Sequence, residues 1–187
     1  MRSNRGMKHG KGDVVKGLAA GLVGGLVASW TMNRFQDVWM KVAESVEEPQ
    51  GDGSAGQEGA GRGQQSGGEQ EDTTVKAASA ISEGIFDHKL TKREKKIAGP
   101  AMHYAFGTSV GGLYGAVAEV APEVTAGRGL PFGAAFWLVA DEAAVPLLGL
   151  SKAPTEYPLS VHAYALASHF VYALTAEVVR RAVRNAL

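Results

Sequence analysis

Histidine is costly in hydrocarbon and ordinary in water, so its surroundings decide what it can do. His162 and His169 stand seven residues apart in "HAYALASHF", a run that otherwise reads as apolar helix. Seven residues is close to two helical turns, which puts both rings on one face, roughly 10 Å apart along the axis. His103 lies in a second apolar run, and the adjacent carboxylates Asp141 and Glu142 lie in a third. Imidazole nitrogen and carboxylate oxygen suit a divalent metal such as zinc or iron, with His103, Asp141, His162 and His169 as candidate ligands. The two histidines are spaced more widely than the usual i, i+3 or i, i+4 ligand pair, and no Glu-x-x-His motif accompanies them. A haem held by His103 and His169 is a variant of the metal reading. The same imidazoles and carboxylates could instead exchange protons, with affinities set by mutual charge and burial. A plainer reading makes them helix–helix glue, with Arg34 paired to Asp141 in a satisfied polar cluster that also includes Glu142.

The elements that must position these residues are long and apolar. Residues 17–33 carry no charge, residues 97–118 hold only His103 as an ionisable group, residues 129–150 include Asp141 and Glu142, and residues 157–176 hold the histidine pair. Each approaches the ~20 residues that cross a ~30 Å hydrocarbon core. A soluble bundle would show a charged stripe on helices of this length, and residues 18–32 have none. The mean hydropathy of −0.07 hides this, because it averages in a very different segment. Residues 49–72 contain eight glycines, five glutamines and five acidic residues, with no aromatic or branched aliphatic side chain. Such a tract cannot offset its ordering entropy by burial and is expected to be disordered. The expected fold is therefore all-α: a polytopic membrane protein, an antiparallel four-helix transmembrane bundle with a long disordered loop between helices 1 and 2. Residues 1–40 form the basic N-terminus and first span, residues 41–96 the loop with a short surface helix near 74–86, and residues 97–187 the remaining spans and a basic C-terminus.

Arg2, Arg5, Lys8, Lys11 and Lys16 precede the first span, and Arg180, Arg181 and Arg184 follow the fourth. The positive-inside rule then places both termini in the cytoplasm, with the chain crossing the membrane several times. At ~1.5 Å per residue this orientation gathers Arg34, His103, Asp141, His162 and His169 in the outer half of the bilayer. Glu119 and Glu177 fall at the cytoplasmic interface, where Arg180 and Arg181 stand at pairing distance from Glu177 along the helix. Gly17, Gly21 and Gly25 repeat every four residues, as do Gly107, Gly111 and Gly115. Such faces let backbones approach closely, between spans one and two or towards a membrane-protein partner or a second copy. Thr91 and Glu94 have capping-box spacing, and Pro146 should kink the third span near Glu142.

The runs "HYAFGTSVGGLYGAVAEVAP" (103–122), "PLLGL" (146–150) and "HAYALASHFVYALTAEVVRRAVRN" (162–185) resemble the YagU-like family of bacterial inner-membrane proteins. His103, Tyr114, Glu119, His162, His169, Glu177 and Arg180 fall at that family's spacing, while Asp141 and the segment before His103 depart from its pattern. The resemblance implies an inner-membrane protein of uncertain molecular role, associated in one member with survival in acid, with no catalytic residues to carry over. Enzyme status stays open. With no cysteine there is no disulfide, Cys-ligated zinc or iron–sulfur centre. Phosphate-cradling and nucleic-acid motifs are absent, and Ser168 points away from the face of His169. The function classes left are a metal or haem protein, a proton or ion relay, and an accessory subunit of a membrane complex.

Overall fold

The computed structural model describes residues 11–47 and 73–187; the disordered tract expected at 49–72 and the cations Arg2, Arg5 and Lys8 lie outside them. All regular structure among the described residues is helical. Helix α1 spans Lys11–Glu47, α2 Thr73–Phe86, α3 Lys92–Val120, α4 Leu130–Trp137, α5 Val145–Leu147 and α6 Leu159–Ala186. Between α4 and α5 the helix widens into a π segment, Leu138–Ala144, so the three pieces form one rod.

Glycine decides how the rods approach one another. A Cβ at Gly25 would lie 2.6 Å from the Gly107 carbonyl oxygen, and one at Gly111 would lie 2.7 Å from that of Gly21. Only bare backbone fits, so the glycine faces of α1 and α3 are spent on each other. Gly24 brings α1 equally close to the Ala176 carbonyl of α6, and Gly133 of α4 sits against Ala173 and the His169 carbonyl. The interior is correspondingly small-chained, with Ala20, Ala28, Ser29, Ala173 and Ala176 buried around Tyr114 and Tyr172. Leu18, Leu22, Val23, Leu26 and Trp30 of α1 and Leu113 of α3 point outward. Small residues inside and large apolar residues outside is the reverse of a water-soluble bundle.

Two contacts fix the directions. Arg184 at the end of α6 bonds both Asp13 at the start of α1 and Glu119 at the end of α3. Gly133 meets Ala173, whereas Glu142, farther along the same rod, reaches His162. The α1, α3, α4–α5 and α6 rods therefore alternate in direction. The end where α1 begins and α6 finishes is termed the base, and the opposite end the head.

Among the described residues, two segments are long and apolar enough to cross a membrane, Asp13–Ala43 and Pro122–Leu147. Helices α3 and α6, expected as further spans, are long enough but less apolar and do not join them. Their glycine, serine, tyrosine and histidine residues, which make the packing and the site, lower their mean hydropathy. At the head, α3 begins with the expected capping box: Thr91 N–H donates to Glu94 Oε2 at 2.7 Å, and Glu94 N–H to Thr91 Oγ1 at 3.3 Å. The short helix expected near 74–86 is α2, which packs against α3 through Val75 and Gly99.

Candidate functional site

The π segment is the key local feature. Pro146 has no N–H to offer the Glu142 carbonyl one turn back, so a regular helix is interrupted there. The chain accommodates this with a widened turn in which Val145 N–H donates to the Ala140 carbonyl, five residues back. The expected kink is thus a π segment, a form that recurs at functional sites. Its effect is to aim two consecutive carboxylates, Asp141 and Glu142, at one neighbouring helix.

Each carboxylate meets a different histidine. His162 Nδ1 lies 2.6 Å from Glu142 Oε1, and His162 Nε2 lies 3.1 Å from the Pro154 carbonyl oxygen. A carbonyl only accepts, so Nε2 carries a hydrogen. One further proton then lies on the Nδ1–Oε1 line, belonging to the pair rather than to either residue alone. Trp137 and Tyr157 approach the ring edge-on, each at 6.5 Å between centroids. His169 is held differently. Its Nδ1–H donates to the Ala165 carbonyl at 2.9 Å, and Asp141 Oδ2 stands farther off at 3.7 Å. The backbone bond fixes the tautomer, while Phe136 packs edge-on at 4.9 Å. His169 is buried and Asp141 is not, with 6% and 40% of their side chains exposed.

The remaining expected members stand apart. Arg34 is exposed and pairs with Asp37 of its own helix at 3.3 Å, rather than with Asp141. His103 lies on α3 with its ring 5.6 Å from that of Tyr104, whose hydroxyl accepts from Asn33 Nδ2 at 3.4 Å. Of the four expected metal ligands, Asp141 and His169 face each other at 3.7 Å, His162 pairs instead with Glu142, and His103 lies on α3 beside Tyr104. Among the described residues no group of three or more His, Asp or Glu is placed to hold a metal ion.

At the base, charge is fixed by arginine. Glu177 is 1% exposed and accepts from Tyr114 Oη at 2.9 Å, Arg180 Nε at 2.8 Å, Arg180 Nη2 at 3.0 Å, and Arg181 Nε. Arg184 bonds Glu119 through Nε at 2.8 Å and Asp13 through Nη2 at 3.0 Å, and Arg180 Nη1 comes within 4.0 Å of Glu119. Three arginines thus face three carboxylates from three helices. Burial alone would raise the Glu177 carboxyl, but the arginine and tyrosine donors outweigh it and hold the group below its ordinary value of 4.5. Glu119, Glu177, Arg180 and Arg181 were legible from spacing. Arg184 was read only as an orienting cation and Tyr114 only through the family resemblance; their bonds to Glu119, Asp13 and Glu177 were not foreseen, although Arg184 repeats the helical period from Glu177.

These features define an all-helical protein with two helices able to cross a membrane and paired titratable groups between its rods. Residues 81–178, more than half of the chain, match the model of a family described as protein of unknown function (DUF1440), and the chain belongs to that family. The matched span includes both carboxylate–histidine contacts and Glu177. No curated protein and no solved structure matches the chain.

Proposed function

We propose that this chain is a polytopic membrane protein that relays protons through the Glu142–His162 and Asp141–His169 pairs. The observation that carries the reading is the π segment, which gives two adjacent carboxylates separate imidazole partners on α6. A proton held between an imidazole and a carboxylate belongs to the pair, and such a pair can pass it on to a neighbouring group. From His162 the inner face of α6 continues through His169 and Tyr172 to Glu177, which bonds Tyr114. Those fifteen residues span ~22 Å, most of a hydrocarbon core.

Membrane insertion is supported by the outward-facing leucine, valine and tryptophan of α1 and by glycine-mediated packing. On the positive-inside rule the base faces the cytoplasm and all four rods cross, α3 and α6 being shielded by the more apolar pair. Within its family we place the chain with the YagU-like proteins of the bacterial inner membrane, on the residues quoted above.

The test is proton flux into vesicles that contain the full chain and a trapped pH-sensitive dye. An imposed pH step should collapse several-fold faster than in protein-free vesicles, and Glu142→Gln or His162→Gln should abolish the difference. Equal rates with and without protein would reject the relay. Adding zinc to the purified protein provides a control: stoichiometric binding lost in His162→Gln and His169→Gln would favour the metal reading instead.

A further inference from the structure

At the head, one corner combines exposed apolar residues with exposed cations. The N-terminal half of α2 is tied down, with Val75 against Gly99 of α3 and Lys76 Nζ donating to the Leu150 carbonyl at 3.2 Å. Its other half projects: Ile81 and Ile85, one turn apart on one face, and Phe86 beside them are 44%, 72% and 72% exposed. The turn that follows is stiff. Asp87 takes a left-handed conformation, Ser82 Oγ–H donates to the His88 carbonyl at 2.7 Å, and His88 Nε2 pairs with Glu94 at 3.2 Å. Glu94 is also engaged by Thr91, whose backbone N–H is the main reason its carboxyl lies below its ordinary value. Glu94, inside the cluster, is therefore already occupied, and the exposed Glu83 and Asp87 of the apolar end are outnumbered by Lys89, Lys92, Arg93 and Lys96, which extend to the outside. Ile97, 68% exposed, then opens the apolar stretch of α3.

We infer that this corner is a binding surface for anionic phospholipid: Ile81, Ile85 and Phe86 enter the headgroup–acyl boundary while Lys89, Lys92, Arg93 and Lys96 bind the phosphates. An apolar face followed directly by a cation cluster, at the point where a helix turns apolar, matches the layered chemistry of a bilayer interface. The lysine-rich stretch before α3 then has a use on whichever side of the membrane it lies. The inference rests on the membrane reading above.

The chain has no cysteine, so single labels can be placed cleanly. Full-length Ile85→Cys and Leu22→Cys proteins, each carrying an environment-sensitive dye, are reconstituted in two kinds of vesicle: phosphatidylcholine alone, and equal parts phosphatidylcholine and phosphatidylglycerol. Shallow lipid nitroxides should quench position 85 about twofold more in the anionic vesicles. The K89Q/K92Q/R93Q/K96Q variant should lose that difference. Deep nitroxides should quench position 22 in both vesicles. Position 85 unquenched while position 22 is quenched overturns the inference and leaves the membrane reading standing. Both positions unquenched overturns both. Equal quenching of position 85 in the two vesicles, with or without the four cations, overturns the anionic headgroup as the ligand.

Discussion

The base and the head each hold carboxylates against another helix, but they pair them with different cations. At the base Glu177, Glu119 and Asp13 face Arg180, Arg181 and Arg184, whose guanidinium groups stay charged throughout the accessible pH range. At the head Glu142 and Asp141 face His162 and His169, which ordinarily titrate near 6.5. The arginine network joins α1, α3 and α6 and has no reason to change with pH near neutrality. The imidazole contacts join the π segment to α6 only, and histidine is the side chain whose charge ordinarily changes in that range. One end is a clasp, and on the proposed relay the other end responds to protons.

Breaking the clasp should produce the largest effect. Glu177→Ala leaves Arg180, which is 7% exposed, without its main acceptor and removes the partner of Tyr114. Removing one member of a buried ion pair costs about 3–5 kcal/mol. The variant should unfold far below the wild-type temperature in detergent, followed by circular dichroism. A loss under ~1 kcal/mol would mean that the base is wet and its arginines are merely surface charges.

The pH dependence separates the two ends. Because the folded Glu177 carboxyl lies below its ordinary 4.5, its contribution is complete above that value and is lost as pH falls through the lower folded value. A stability or flux change between about pH 5 and 8 therefore does not come from Glu177. Glu142→Gln with His162→Gln should flatten the profile in that window and leave the acid limb below 4.5 in place. Glu177→Gln should weaken the acid limb and spare the neutral window. A neutral-range change that survives the head variants would remove the contrast between the ends.

What the sequence made legible follows a physical division. Gly17, Gly21 and Gly25 and their counterparts on α3 could be read directly, because close backbone approach demands the absence of a side chain at a fixed period. The Thr91–Glu94 box is local and was equally visible. The pairing of Glu177 with Arg180 and Arg181 lies within one helix and follows from its period. Contacts between helices were not legible. The expected Arg34–Asp141 contact between helices does not form, and Arg34 pairs instead with Asp37 three residues on in its own helix, a pairing the helical period already offered. Pro146 announced an irregularity near Glu142, but a missing N–H permits either a kink or a widened turn. That choice assigns Glu142 to His162, where the sequence had offered Asp141 as a candidate ligand beside the histidines and had given Glu142 no imidazole partner.

The smallest expected effects lie in the couplings within the head, and they test the pairing most closely. Glu142 and His162 are 2.6 Å apart with less than a quarter of either side chain exposed. A charge-assisted hydrogen bond of this kind is worth about 1.5–3 kcal/mol, so a double-mutant cycle of Glu142→Ala with His162→Ala should show coupling of that order. Asp141 and His169 are 3.7 Å apart, the carboxylate is substantially exposed, and His169 already donates to Ala165. Their cycle should give only about 0.5–1 kcal/mol, because solvent screens one partner and the backbone satisfies the other. The crossed cycles, Asp141 with His162 and Glu142 with His169, should lie near zero if each carboxylate serves one ring. Coupling of Asp141 to both histidines would instead mean that the π segment tightens to a regular helix in the membrane and turns Glu142 away. Equal coupling in all four cycles would make the four residues one shared site, for which a metal would again be the natural centre.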